Sequence, residues 1–148
     1  MGILLGIADW REDAVALVRH VRRMQKQFWQ AEISISLPRL RPCESEYTPP
    51  HPVPDQDFLQ LIAALRLALP DVGLVLSTRE SPELRDRLIG LGITRMSAGS
   101  RTEPGGYLHP EESLKQFETE DRRSPAEVAA AIEKKGYEPV WKDWENFL

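Results

Sequence analysis

Four arginines come shortly after apolar runs of the sequence, where strands of a parallel sheet would end. They are Arg39, Arg41, Arg79 and Arg101. Ligands of parallel α/β folds bind at the carboxyl ends of the strands, and the guanidinium group pairs well with carboxylate or phosphate. The set therefore favours an anion-binding rim. In the alternative interpretation, the arginines form ion pairs with nearby acids, namely Glu44, Glu80 and Glu103.

Other kinds of site find little support in the sequence. The three histidines, His20, His51 and His109, lack the spacing of metal ligands, so no metal site is predicted. The single cysteine, Cys43, excludes an internal disulfide and a cluster held by several cysteines of this chain. Because no glycine-rich nucleotide loop, Ser-His-Asp set or carboxylate pair stands out, no catalytic residue is predicted.

Strands and helices alternate over residues 1–100. Apolar runs predict strands at 3–7, 33–37, 72–76 and 93–98, and the first run is continuous, as in a strand that is buried on both faces. Helical patterns separate them, at 10–30, 55–69 and 82–90. This order predicts a parallel sheet with right-handed crossovers. Periodicity alone leaves open whether the four strands form a doubly wound layer or half of a barrel.

Caps and apolar stripes define the expected helices. Ser81 and Ser124 each precede a proline, which is typical of an N-cap followed by the first helical residue. A stripe on the first helix predicts core packing, through Leu17, Val21, Met24 and Phe28. Residues 101–123 are polar and irregular, and an aromatic tail follows the last helix, with Tyr137, Val140, Trp141, Trp144 and Phe147.

Composition excludes several classes of protein. The 148 residues carry a net charge of −4, which disfavours a nucleic-acid binder. No run reaches the roughly 18–20 apolar residues that span a bilayer. The first residues lack the basic and small-residue segments of a signal peptide, so the cytoplasm is the expected compartment.

Several segments resemble the tyrosine lyases of the radical S-adenosylmethionine (SAM) superfamily. They are SLPRLRP at 36–42, LSTRE at 76–80, MSAGS at 96–100, EPGGY at 103–107, QF at 116–117, DRRSP at 121–125 and VWKDW at 140–144. The resemblance extends over nearly the whole chain. The hydrogenase-maturation lyases carry a cysteine-rich segment after this point. This chain has VWKDW and no cysteine there, which resembles the thiamine-biosynthesis branch.

The resemblance implies a (β/α)8 barrel of which this chain supplies the last four units. Residues 1–100 would form the half-barrel, and 101–148 a C-terminal extension of the type associated with biotin and thiamin synthesis. Gly2, Leu4 and Gly6 match the family's segment beside the SAM adenine. The substrate would be L-tyrosine, with Arg79 near its carboxylate and four polar neighbours in support: Ser97, Ser100, Arg39 and Arg41.

The family reaction splits tyrosine into dehydroglycine (2-iminoacetate) and p-cresol, using SAM and a 4Fe-4S cluster. The cluster loop, Cys-x3-Cys-x2-Cys, is absent from these residues. We therefore expect this chain alone to bind neither cofactor well and to be inactive. Its open sheet edges predict docking to a separate N-terminal half or self-association, with thiazole synthase as a further candidate partner. The alternatives are a non-catalytic interaction module of thiamine biosynthesis and an unrelated α/β anion binder.

Overall fold

A three-stranded parallel sheet lies at the centre of the computed structural model, which describes residues 1–40, 48–100 and 120–141. Its strands are β1 (Ser34–Ser36), β2 (Gly73–Leu76) and β3 (Arg95–Met96), in the order β1-β2-β3. Each strand is therefore paired with the next one in the chain, and all run in the same direction. The predicted parallel α/β architecture is confirmed.

The first apolar run is not the continuous strand that was predicted. It makes two isolated parallel bridges to the β1 side of the sheet, Gly2 to Ser36 and Leu5 to Arg39. Backbone hydrogen bonds join the two segments on both sides of Pro38. Ser36 N–H donates to the Met1 carbonyl, and Leu40 N–H donates to the Leu5 carbonyl. The donor expected between them is the nitrogen of Pro38, which has no hydrogen. One proline therefore interrupts the strand pairing.

The described residues form four α-helices, which connect and follow the strands: α1 (Trp10–Gln27), α2 (Asp55–Ala68), α3 (Pro82–Leu88) and α4 (Pro125–Lys134). The predicted caps are confirmed, since the Ser81 hydroxyl accepts from Leu84 N–H and the Ser124 hydroxyl from Glu127 N–H. None of the described helices is long and apolar enough to cross a membrane.

The end of α1 differs from the prediction. The helix stops at Gln27 rather than at residue 30, and Phe28 takes a non-helical φ of −128° at its C-cap. Because the helical periodicity ends there, the side chain of Phe28 leaves the stripe and is 48% exposed. Leu17 and Val21 of the same stripe are buried as predicted.

The core lies between one face of the sheet and helices α1, α2 and α3. Ile35 of β1 and Leu74 of β2 point into it, whereas their neighbours Ser36 and Val75 lie on the opposite, half-buried face. The apolar face predicted for α2 is buried in full, through Phe58, Leu61, Ile62 and Leu65.

The opposite face of the sheet carries a polar bridge. Arg95 of β3 donates to the Ser34 hydroxyl of β1 at 2.8 Å and to the Glu32 carboxylate at 2.6 Å. The bridge crosses β2 at Gly73, where an added Cβ would lie 2.8 Å from the Ser34 oxygen. Because Gly73 has no side chain, the hydrogen bond between Arg95 and Ser34 can pass over β2 at this position.

Candidate functional site

The strand ends meet at one edge of the sheet, as the parallel order requires. Arg39 follows β1, residues 77–80 follow β2, and Ser97 follows β3. Ser97 N–H donates to the Leu76 carbonyl at 2.9 Å, which joins the ends of β2 and β3. We call this edge, with the residues that follow the three strands, the rim.

Arg39 is the centre of a buried ion-pair cluster. Its Nε contacts both carboxylate oxygens of Glu80, at 3.1 and 3.0 Å, and Nη2 contacts the same carboxylate. Its Nη1 donates to the Val53 carbonyl at 2.9 Å and to Asp55 at 2.8 Å. The guanidinium also lies 4.8 Å from the centre of the Phe58 ring. We call Arg39, Glu80 and Asp55 the Arg39 cluster.

The contacts of Arg39 match the alternative interpretation of the sequence. Each of its three guanidinium nitrogens already has an acceptor within the protein, and the residue is only 6% exposed. Burial alone would lower the pKa of Arg39, but the hydrogen bonds and charges of Glu80 and Asp55 raise it. A role for Arg39 in substrate binding stays a prediction.

Arg79 lies between two buried residues. Thr78 and Glu80 are 3% and 1% exposed, whereas Arg79 is half-buried at the rim. Its backbone N–H donates to the Ser77 hydroxyl at 3.4 Å. Burial lowers the pKa of Arg79, against the opposing charge of Glu80. A partly desolvated cation in this position can pair strongly with an anion, because water screens the charge less.

A second buried cluster was not predicted from the sequence. Arg85 of α3 is fully buried and donates to the Asp121 carboxylate and to the Ser97 carbonyl. Arg123 donates to Asp121 at 3.0 Å through Nε and to Asp86 at 2.9 Å through Nη2. We call Asp121, Arg85, Arg123 and Asp86 the Asp121 cluster.

A sequence signal for this cluster does exist in α3. Arg85 stands beside Leu84 and three residues before Leu88, both of which are buried. A charged residue on an apolar helix face requires a buried partner. The partner could not be identified because Asp121 is 36 residues away along the chain.

The Asp121 cluster joins the segment before α4 to the rim. Asp121 N–H donates to the Thr78 carbonyl at 3.1 Å, and Gly99 N–H donates to the Arg123 carbonyl at 3.2 Å. Gly99 has a φ of +62°, and a Cβ there would approach Pro125 Cδ to 3.2 Å. Most of the DRRSP motif therefore has a structural role, either in the cluster or in starting α4.

The pKa of Asp121 predicts how stability depends on pH. Burial would raise this pKa, but hydrogen bonds from Arg123 and the charges of Arg85 and Arg123 lower it. A carboxylate with a lowered folded-state pKa stabilises the fold fully above its unfolded pKa of about 3.9, and this contribution is lost as pH falls through the folded value. We expect urea denaturation at a series of pH values to show that the free energy of unfolding falls at acid pH. In Asp121→Asn the free energy of unfolding should depend less steeply on pH.

The glycines of the first run have structural explanations. A Cβ at Gly2 would lie 2.2 Å from the Ser36 carbonyl oxygen, and Gly6 has a φ of +111°. Leu4 is 37% exposed. The close approach at Gly2 and the positive φ of Gly6 explain these two glycines without a ligand, and the assignment of Gly2, Leu4 and Gly6 to the SAM adenine stays a prediction.

Several residues of the sequence predictions lie outside the described residues: Arg41, Cys43, Glu44, Arg101, Glu103, Trp144 and Phe147. Ser97 and Ser100 are half-buried near the end of β3. Within the described ranges, no group of three or more His, Cys, Asp or Glu could hold a metal ion. A 4Fe-4S cluster bound by three cysteines does not fit this sequence, which has one cysteine.

Comparisons with known proteins agree with the sequence motifs. The chain is 44% identical over 149 residues to the 2-iminoacetate synthases of Escherichia coli and Salmonella typhimurium. These matches cover all of the chain and 40% of each relative. The chain therefore spans about two fifths of the length of the curated relatives it matches. The resemblance predicted from the motifs is confirmed.

Two solved structures of HydG, a maturase of the FeFe-hydrogenase, share the fold. The first gives a TM-score of 0.85 at 40% identity and covers 95% of this chain and 31% of HydG. The second, from Carboxydothermus hydrogenoformans, gives a TM-score of 0.82 at 34% identity and covers 97% of this chain and 33% of that HydG chain.

Residues 36–138 match the family described as Biotin and Thiamin Synthesis associated domain. The chain belongs to this family.

Proposed function

We propose that this chain is the C-terminal part of a 2-iminoacetate synthase, a radical SAM lyase that cleaves L-tyrosine for thiamine biosynthesis. The observation that carries the proposal is 44% identity along the entire chain to two proteins of that name. The family match to a domain associated with thiamin synthesis supports the same pathway.

The sheet supports a half-barrel within this proposal. Its strands lie in sequence order and parallel, which is the arrangement of consecutive strands in a (β/α)8 barrel. A groove of about 480 Å³ lies between β3 and α4, and its lining includes the apolar residues Ile93, Met96, Ala98, Val128, Ile132 and Trp141. We propose that the remaining strands of the barrel pair beyond β3 and beyond the first apolar run.

The rim is the proposed substrate side of the enzyme. Arg79 would bind the tyrosine carboxylate, because burial weakens its solvation and its loop follows β2 at the edge where ligands of parallel folds bind. Ser97 and Ser100 would line the same site, with Arg39 and Arg41 as further candidates. The first run, through Gly2, Leu4 and Gly6, would lie beside the SAM adenine.

Tyrosine cleavage would need residues beyond these 148. SAM and the 4Fe-4S cluster supply the radical chemistry in the family, and three cysteines hold that cluster. One cysteine cannot supply three thiolate ligands. We therefore propose that this chain contributes substrate-binding groups and does not cleave tyrosine by itself.

Binding of L-tyrosine tests the assignment of Arg79. We expect Arg79→Ala to weaken L-tyrosine binding by about 10-fold or more, since hydrogen bonds to charged groups contribute about 1.5–3 kcal/mol. Isothermal titration of the chain with L-tyrosine, and with tyramine, which lacks the carboxylate, measures this. Arg87→Ala is the matched control because Arg87 is an exposed arginine of α3. Equal affinity for tyrosine and tyramine would contradict a carboxylate-binding Arg79.

A further inference from the structure

We propose that Glu80 and Asp121 are positioning residues that hold the segment 77–80, here called the Arg79 loop, from both sides and thereby fix Arg79 at the rim. The inference rests on the proposed function for the identity of the ligand. The arrangement of the loop itself rests on contacts within the described residues.

The Arg39 cluster holds the loop from the β1 side. Glu80 is 1% exposed, and its two carboxylate oxygens accept from Arg39. Arg39 in turn donates to the Val53 carbonyl and to Asp55, the first residue of α2. Glu80 therefore ties the end of the Arg79 loop to β1 and to the start of α2.

The Asp121 cluster holds the loop from the β3 side. The backbone N–H of Asp121 donates to the Thr78 carbonyl at 3.1 Å. The side chain of Asp121 is fully buried and bonds to Arg85 of α3 and to Arg123. Arg85 also donates to the Ser97 carbonyl, so this cluster fixes the ends of β2 and β3 together.

Arg79 lies between these two attachment points. Its neighbours Thr78 and Glu80 are buried and bonded, and Arg79 is half-buried at the rim. An arginine side chain loses rotamer entropy when it is immobilised. Because the backbone of the loop is already fixed, ligand binding costs no further backbone entropy there, and this favours binding.

Backbone ¹⁵N relaxation of the full chain tests the positioning role without a ligand. We expect the Arg79 amide to have an order parameter near 0.85, as in rigid backbone, and to fall below about 0.6 in Glu80→Gln and in Asp121→Asn. Leu65→Ala is the control, since it truncates a buried core residue of α2 that belongs to neither cluster. Unchanged Arg79 order in both variants would overturn the proposal, and so would an equal loss in Leu65→Ala or a mobile amide in the wild type.

A milder variant covers the case in which Asp121→Asn does not fold. Arg123→Gln removes one partner of Asp121 and leaves Arg85 in place, and the Arg123 side chain is 20% exposed. We expect a smaller decrease of order at Arg79 in this variant, and no decrease would count against the Asp121 half of the proposal.

L-tyrosine titration of the same variants separates the two proposals. If the wild type binds tyrosine, Glu80→Gln should weaken binding about 10-fold more than Leu65→Ala does, although Arg79 is intact, because the released loop must then be ordered on binding. If folded Glu80→Gln bound tyrosine as tightly as the wild type does, the positioning role would be overturned. If the wild type does not bind tyrosine, the assignment of Arg79 as its ligand fails, and the relaxation data still decide whether the loop is held as proposed.

Discussion

Replacing Asp121 with alanine is expected to lower the free energy of unfolding by about 3–5 kcal/mol, the usual result of leaving a buried charge without its partner. Arg85 is fully buried and, in the described part of the chain, its Nε has no hydrogen-bond partner. The Asp121 carboxylate and the Ser97 carbonyl are therefore its two acceptors. Urea denaturation monitored by circular dichroism at neutral pH measures the change.

Two further variants show whether the buried charge is the cause. Asp86→Ala removes a carboxylate of the same cluster whose side chain is 36% exposed, and should change stability by about 1 kcal/mol or less. The double variant Arg85→Met with Asp121→Leu replaces the pair by apolar side chains, and should recover most of the loss. A change below about 1 kcal/mol in Asp121→Ala would contradict the structural role of the cluster.

Leu65→Ala is expected to lower the free energy of unfolding by about 2–5 kcal/mol, the range observed when a buried leucine is truncated. Leu65 is 1% exposed and lies in the core between α2 and the sheet. Leu67, two residues later in the same helix, is 86% exposed. Leu67→Ala should therefore remain within about 0.5 kcal/mol of the wild type in the same urea experiment. Equal effects of the two variants would mean that α2 packs through a different face.

Local chemistry explains which parts of the fold could be predicted. Ser81 and Ser124 define helix starts because their hydroxyls accept from backbone N–H groups only three residues away. The four buried apolar positions of α2 could be predicted from helical periodicity alone. The interruption at Pro38 was missed because it depends on which strand lies beside that proline, which periodicity does not reveal.

The candidate site was less predictable because it depends on pairing between distant residues. Arg39 and Arg79 follow strands in the same way, yet Arg39 is buried against Glu80 and Asp55 while Arg79 is half-buried. Nothing in their immediate sequence distinguishes the two. The sequence included Glu80 among the acids that could pair with the arginines, but the folded chain was needed to show that it pairs with Arg39, 41 residues away. The partner of Arg85, 36 residues away, was not identified from the sequence at all.

Formation of p-cresol from L-tyrosine tests the central claim most directly. This chain would replace the matching segment of the Escherichia coli 2-iminoacetate synthase, and the chimaera would be assayed with SAM and a reductant beside the unaltered enzyme. We predict p-cresol from the chimaera, none from the 148-residue chain alone, and a large loss in the Arg79→Ala chimaera. A folded, cluster-containing chimaera that makes no p-cresol would contradict the lyase assignment and favour a non-catalytic interaction module.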